Sequence, residues 1–319
     1  MKRTLFIIFS LVICISVLIG CKATQTSSEI AFDFERKIVI LNNGIEMPIL
    51  GLGTYLLSPE QTENSVYNAL ATGVRLIDTA NAYMNERAVG RGVKKSGVPR
   101  EDIFIITKLW VSSYDYAAEE IDETLARLDM DYIDLLLLHQ PYGNYLEAWK
   151  AMENAVSEGK VRSIGLSNFY EEKFSEIIDI AAITPAVLQV ESNPFFHQTE
   201  MREFLKPYGT VLNAWFPLGG RGNTQPLFSN EIITEIAEAH EKTSAQVILR
   251  WHLQAGNIAI PGSSNPNHIR ENFDIFGFEL TEEEMQSIKT LDRGHGVLEY
   301  TDEVGELFLS WTFDFNDQE

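Results

Sequence analysis

From Lys37 onward the chain alternates short apolar, β-branched runs with segments whose apolar residues recur every three or four positions. The first pattern reads as strand and the second as amphipathic helix. Eight strands are predicted, at residues 49–53, 75–79, 103–108, 133–139, 161–166, 187–191, 211–215 and 258–261. Between them, positions such as Ala117, Ile121, Thr124, Leu125 and Leu128 share one helical face with acidic residues opposite, so most of these segments read as crossover helices. Leu135-Leu136-Leu137-Leu138 is apolar on both faces, as a parallel strand covered by helices must be. Eight β/α units in about 250 residues predict an α/β fold, a single closed (β/α)8 TIM barrel. A doubly wound open sheet is the alternative, and it would normally show a Gly-x-Gly-x-x-Gly turn after the first strand. Gly51-Leu52-Gly53-Thr54-Tyr55-Leu56 lacks the third glycine. Ahead of the barrel, residues 37–48 fit a small β-hairpin turning at Asn43-Gly44.

The first residues follow a different grammar. Met1-Lys2-Arg3 is followed by an apolar run from Leu5 to Ile19, then Gly20-Cys21 and a polar stretch. The run is short of the roughly 20 residues a membrane-crossing helix needs and fits a signal peptide. Leu18-Ile19-Gly20-Cys21 resembles the bacterial lipobox, which implies a mature protein beginning at a lipidated Cys21. The expected organisation is signal peptide 1–20, lipidated N-terminus and tether 21–36, and barrel 37–319. An uncleaved anchor or a later start codon is the alternative. Of the two cysteines, Cys14 leaves with the signal and Cys21 carries lipid, so neither a disulfide framework nor a cysteine metal site is expected.

Charge narrows the partners. Lys and Arg number 25 against 46 Asp and Glu, a formal net charge of -21 that becomes -23 once Lys2 and Arg3 are removed with the signal. A body this acidic lacks the basic footprint that nucleic acid or anionic lipid requires. Backbone amides and one or two local bases can still hold a phosphate inside it. A small molecule is therefore the expected partner, with the membrane reached through the acyl chains on Cys21 and the chain expected to be a monomer.

In a barrel of this kind catalytic groups sit at the C-terminal ends of the strands. Asp78 ends the second predicted strand, Tyr83 follows five residues later, Lys108 ends the third and His139 ends the fourth. Each alone has a plain structural reading, as a cap, a packed ring, a solvated charge or a core histidine. Four on one rim point to a site.

These residues and their surroundings are closely similar to the aldo-keto reductase family. The similarity is carried by Gly51-Leu52-Gly53-Thr54, by residues 75–86 around Asp78 and Tyr83, by Ile106-Thr107-Lys108-Leu109-Trp110 and by Leu137-Leu138-His139-Gln140-Pro141. Residues 159–169 and Ile269-Arg270-Glu271-Asn272 extend it. The resemblance implies reduction of small aldehydes or ketones to alcohols by hydride from NADPH or NADH, with no metal. Tyr83 is expected as general acid and Lys108 as the charge that stabilises its phenolate. Asp78 holds Lys108, and His139 orients the substrate carbonyl. The same resemblance places Ser167, Asn168 and Gln189 on the nicotinamide carboxamide, Trp215 against the nicotinamide ring, and Thr54, Leu218 and Gly219 along the cofactor. Ser263, Ser264, Asn265, His268, Glu271 and Asn272 fall at the adenosine end. Tyr55, Trp110, His139 and Gln140 are expected to meet substrate, with a C-terminal loop carrying Tyr300 and Trp311 closing the mouth.

One departure bears on the cofactor. Many members have Ile-Pro-Lys-Ser and an arginine six residues after that lysine, both binding the 2'-phosphate of NADPH; this chain has Gly262 and His268 at those positions. Losing two charge-assisted contacts weakens the preference for NADPH, although Ser263, Ser264, Asn265 and Arg270 remain nearby. A redox-sensing or regulatory subunit with little turnover is the second reading, and the intact Asp78, Tyr83, Lys108 and His139 set favours catalysis. The cell envelope is the expected location. Because nicotinamide nucleotides are cytoplasmic metabolites, an unprocessed cytoplasmic chain is the alternative.

Overall fold

The structure, a computed structural model, describes residues 30–319. The expected signal peptide, Cys21 and most of the tether lie outside the described residues. The described chain opens with an antiparallel sheet of β1 (Phe32–Asp33), β2 (Ile38–Ile40) and β3 (Glu46–Pro48). β2 and β3 pair Ile38 with Pro48 and Ile40 with Glu46. At the turn between them Gly44 takes φ +84°, a left-handed conformation that suits glycine, and Asn43 Oδ1 accepts the Ile45 N–H.

Eight parallel strands follow: β4 (Leu52–Gly53), β5 (Leu76–Asp78), β6 (Phe104–Leu109), β7 (Ile133–Leu138), β8 (Val161–Ser167), β9 (Val187–Glu191), β10 (Val211–Trp215) and β11 (Asn257–Ala259). Each pairs with its neighbour in sequence. The sheet closes where parallel bridges join Leu50 to Ala259 and Gly53 to Gly262. At that seam the Gly51 N–H donates to Ala259 O at 2.9 Å and the Gly53 N–H to Pro261 O at 3.2 Å. A Cβ on Gly53 would stand 2.8 Å from the Ile260 carbonyl oxygen, so only glycine lets the two edges meet.

Between successive strands from β4 to β10 run α1 (Pro59–Thr72), α2 (Glu86–Ser96), α3 (Ala117–Leu128), α4 (Tyr145–Ser157), α5 (Glu171–Ile180) and α6 (Thr199–Leu205). Three helices, α7 (Gly220–Phe228), α8 (Glu231–Ala239) and α9 (Ser244–Gln254), separate β10 from β11. α10 (Pro266–Phe273), α11 (Glu282–Lys289) and α12 (Asp302–Ser310) complete the chain. Strand alternation sorts the core into two parts. Leu135 and Leu137 of β7 face the barrel axis with Leu76, Ile106, Val187 and Ile258. Leu136 and Leu138 face outward onto Trp149 and Met152 of α4. Val39, Leu41 and Met47, in and beside the small sheet, join the axial cluster and plug the N-terminal mouth of the barrel.

Three expectations change. The segment after Leu291 carries the helix α12 where a loop was expected, because Val304, Leu307, Phe308 and Trp311 recur at helical spacing. The glycine-rich stretch 218–222, which by sequence alone reads as a flexible segment, carries the start of α7 at Gly220. On α3 the acidic residues are not all solvated, for Glu120 is buried together with Arg127.

Among the described residues no helix is long and apolar enough to cross a membrane, and no group of three or more His, Cys, Asp or Glu side chains could hold a metal ion.

Candidate active site

Strand parity brings the predicted groups together. Leu76, Ile106 and Leu137 face the barrel axis, and side chains two residues on point the same way, so Asp78, Lys108 and His139 turn into the C-terminal mouth. Lys108 Nζ donates to Asp78 Oδ1 at 2.7 Å, to the Thr79 carbonyl at 2.8 Å and to Tyr83 Oη at 3.3 Å. Asp78 Oδ2 accepts from Gln189 Nε2 at 2.8 Å. All three donors of the ammonium and both carboxylate oxygens thus have partners. Burial drives the Asp78 carboxyl up and the Lys108 ammonium down, and their mutual attraction works against both shifts. With this saturated geometry the pair stands as an ion pair.

Tyr83 meets this pair through its phenol oxygen. Burial, then the Asp78 charge and then Tyr55, hold its phenol well above the usual tyrosine range. Lys108 Nζ stands 3.3 Å from Tyr83 Oη and is paired at closer range with Asp78. What Lys108 provides is a donor to the phenol oxygen, which leaves the phenol hydrogen free for another acceptor. His139 is pushed well below the usual histidine range by burial first and the Lys108 charge second, so it is neutral near pH 7. Its ring sits edge-on to Tyr83 at 5.6 Å and to Trp110 at 5.0 Å, and its Nδ1 is buried without a protein partner.

These groups lie in a cavity of about 930 Å³. Tyr55, Asp78, Tyr83, Trp110, His139, Gln140, Ser167, Asn168, Gln189, Trp215, Leu218 and Ser263 all line it. On one side Asn168, at φ +68°, donates to the His139 carbonyl at 3.1 Å and to Ser167 Oγ at 3.1 Å, while its Oδ1 accepts from Trp215 Nε1 at 2.8 Å. Opposite lies an aromatic slot in which Trp311 stacks on Trp110, centroids 5.8 Å apart and planes 15° apart. Apart from Asp78 the lining carries no charged side chain.

Several expected cofactor residues do not reach this cavity. Thr54 is fully buried, its hydroxyl donating to the Asp78 carbonyl at 3.0 Å. Gly219 precedes α7 behind the wall that Leu218 and Gly220 form. Ser264, Asn265 and His268 are exposed. Asn265 Oδ1 accepts the Asn267 N–H and caps α10. Glu271 accepts from Thr243 Oγ1 at 2.8 Å, and Asn272 is buried on the same helix. Together they form an open surface beyond Ser263.

Other contributors were not foreseen. Tyr114 clamps the backbone of Gln140, donating to its carbonyl at 2.9 Å and accepting its N–H at 3.1 Å. Glu191, buried at the end of β9, accepts the Val297 N–H at 2.8 Å and fastens the segment carrying Val297, Leu298 and Tyr300 to the barrel. Its parity with Val187 and Gln189 was the available signal. Phe216 lines the wall at φ +49°, a strained position for an aromatic residue, and nothing in the sequence marks it.

The profile of the aldo/keto reductase family matches residues 49–293. Morphine 6-dehydrogenase of Pseudomonas putida is 42% identical over 272 residues, covering 81% of this chain and 92% of that protein. Glyoxal reductase of Bacillus subtilis is 43% identical over 270 residues, covering 83% and 96%. Among solved structures, a Bombyx mori aldo-keto reductase in complex with NADP superposes with a TM-score of 0.79 at 33% identity, covering 83% of this chain and 95% of that one. With a family profile spanning most of the barrel and relatives matched over nearly their whole length, this chain is an enzyme of the aldo/keto reductase family.

Proposed function

We propose that this enzyme reduces uncharged aldehydes or ketones to alcohols using NADPH or NADH, with Tyr83 as general acid. The observation that carries the reading is the buried Tyr83–Lys108–Asp78 chain opening beside a neutral histidine into an apolar cavity. The donor set suits a nicotinamide. Ser167 Oγ accepts from Asn168 and keeps its own hydrogen to donate, while Gln189 gives its amide N–H to Asp78 and keeps its carbonyl to accept. One donor and one acceptor are what a carboxamide requires. Trp215 offers an aromatic face beside them. When bound, the reduced nicotinamide supplies the hydride.

The protein's part is positioning and proton supply. His139 donates to the substrate oxygen and sets its angle. Tyr83 gives the alkoxide its proton as charge builds on that oxygen. The Lys108 donor then meets the phenolate left behind, and Asp78 keeps Lys108 charged in a site that burial disfavours. A lining without free charges suits neutral substrates over carboxylates or phosphates. The dicarbonyl named by the glyoxal reductase relative fits this description. The test is reduction of a panel of neutral and anionic carbonyl compounds, followed as loss of nicotinamide absorbance. Activity on anionic compounds alone would refute the reading.

The open surface beyond Ser263, with Gly262 and His268 on it, supports relaxed use of NADPH and NADH. The order of charge, apolar run and Leu18-Ile19-Gly20-Cys21 supports a lipid anchor on Cys21. The mass and cellular fraction of the native protein test the anchor, and a soluble chain retaining Met1 would refute it.

A further inference from the structure

Arg127 on α3 is 2% exposed, and its partners lie outside the Asp78, Tyr83, Lys108 and His139 set. Its Nε donates to Glu86 Oε2 at 2.7 Å, and its Nη2 donates to Glu120 Oε1 and to Thr124 Oγ1 at 2.8 Å. Two paths lead from this guanidinium to opposite sides of the aromatic slot.

The first path runs through Glu120. Asn81 Nδ2 donates to Glu120 Oε1 at 3.0 Å, and Asn81 Oδ1 accepts the Trp110 backbone N–H at 3.0 Å. The second runs through the C-terminal segment. Arg127 Nη1 donates to Asn316 Oδ1 at 3.2 Å, and the guanidinium lies 5.9 Å from the Phe315 ring centre. Phe315, buried there, packs on Phe313 at 5.8 Å, and Phe313 meets Trp110 at 6.1 Å. Trp311 stacks on Trp110, and its carbonyl accepts the Trp110 indole N–H at 3.2 Å.

Residues 311–316 belong to no helix or strand, so tertiary contacts alone fix their course. A planar guanidinium with forked donors can hold partners in several directions at once, which an ammonium on a flexible stem cannot.

We propose that Arg127 is a positioning residue that latches the segment 311–316 and thereby sets the aromatic slot against which the body of the substrate lies. The inference rests on the reading of the cavity as a carbonyl-reductase site. Substrates long enough to reach Trp311 depend on the latch, and substrates that stop at His139 do not.

The test compares the wild-type full chain with Asn316→Leu combined with Phe315→Ala, which releases the segment and leaves the Glu86–Arg127–Glu120 cluster intact. The KM for a bulky aryl ketone is expected to rise about tenfold, as expected for losing a charge-assisted hydrogen bond, with kcat within about twofold. For propanal, KM and kcat both stay within about twofold. Stacked indoles couple in circular dichroism, and that signal is expected to collapse in the variant. Arg127→Lys keeps a positive charge between the two glutamates but loses the fork, and it should reproduce both effects. Equal losses for propanal and the aryl ketone, or an intact indole signal in the double variant, would overturn the latch. If the wild-type chain reduces no carbonyl, the reading of the site fails, while the indole signal still decides the latch.

Discussion

Replacing Tyr83 with Phe removes one oxygen and leaves the ring. In the structure that oxygen accepts a 3.3 Å hydrogen bond from Lys108, while Lys108 keeps shorter bonds to Asp78 at 2.7 Å and Thr79 at 2.8 Å. The ring contacts with Tyr55 at 4.9 Å and His139 at 5.6 Å survive the change. A long bond of this kind contributes about 1 kcal/mol, which corresponds to a fall in Tm of about 1–2 °C in a chain of this size. Loss of a positioned general acid costs about 10²–10⁴ in rate, or roughly 3–5 kcal/mol of barrier. The effect on turnover therefore far exceeds the effect on folding, and the two can be measured on one sample. Single-turnover reduction reports the chemistry, a thermal scan reports stability, and nucleotide affinity should stay within about threefold because the carboxamide donors are elsewhere. Turnover within about threefold of wild type would refute the assignment of Tyr83 as acid. The directions of the ionisations add a pH signature. With Tyr83 raised above its ordinary range and His139 lowered below its own, kcat should be flat from about pH 6 to about pH 9.

NADPH and NADH should bind within about tenfold of one another, since the two bases whose charge would separate them are absent; fluorescence titration with both nucleotides checks this, and a strong NADPH preference would refute it. Gly262→Lys with His268→Arg should shift the balance toward NADPH. His252 is fully buried, donates from Nε2 to the Pro217 carbonyl at 3.0 Å, and is pushed down to about 3 mainly by burial. The unfolded chain therefore takes up a proton near pH 6.5 that the folded chain refuses, and this part of the stability, complete above that pH, is lost as pH falls toward about 3. Between pH 7.5 and 5 the loss is about 2 kcal/mol for this residue. Urea midpoints at the two pH values should show a decline that His252→Gln reduces.

The alternation of apolar runs was enough to locate every barrel strand, because a strand buried on both faces must be apolar throughout, as at Leu135 to Leu138. The proposed catalytic groups were legible for a related reason. Asp78, Lys108 and His139 are polar residues ending apolar runs, and a strand end is where a closed barrel can tolerate them. What stayed hidden was pairing. Glu86, Glu120 and Arg127 look like ordinary surface charges on amphipathic helices, and only the tertiary fold shows that both glutamates pair with the one arginine between α2 and α3. The rise in Tyr83 was hidden likewise. Tyr83 and Lys108 lie 25 positions apart, and the burial that chiefly raises the phenol exists only in the assembled barrel.

The position of the small sheet gives the proposed lipid anchor a geometric consequence. β1 packs near the N-terminal mouth, where Ile30, Phe32 and Phe34 cover the axial cluster, and the tetrad opens at the opposite end. A chain leaving Ile30 toward Cys21 covers at most about 30 Å when extended, so an acyl group at Cys21 would hold the plugged end of the barrel toward the bilayer and leave the cavity facing water. The acidic body would add to this by resisting a closer approach of its other faces to anionic lipid. Turnover of a water-soluble carbonyl should then be indifferent to anchoring. The lipidated chain on vesicles and a soluble chain beginning at Lys22 are expected to share the same kcat/KM within about twofold. A several-fold loss on vesicles would show that the mouth faces the membrane and would refute the orientation drawn from the sheet.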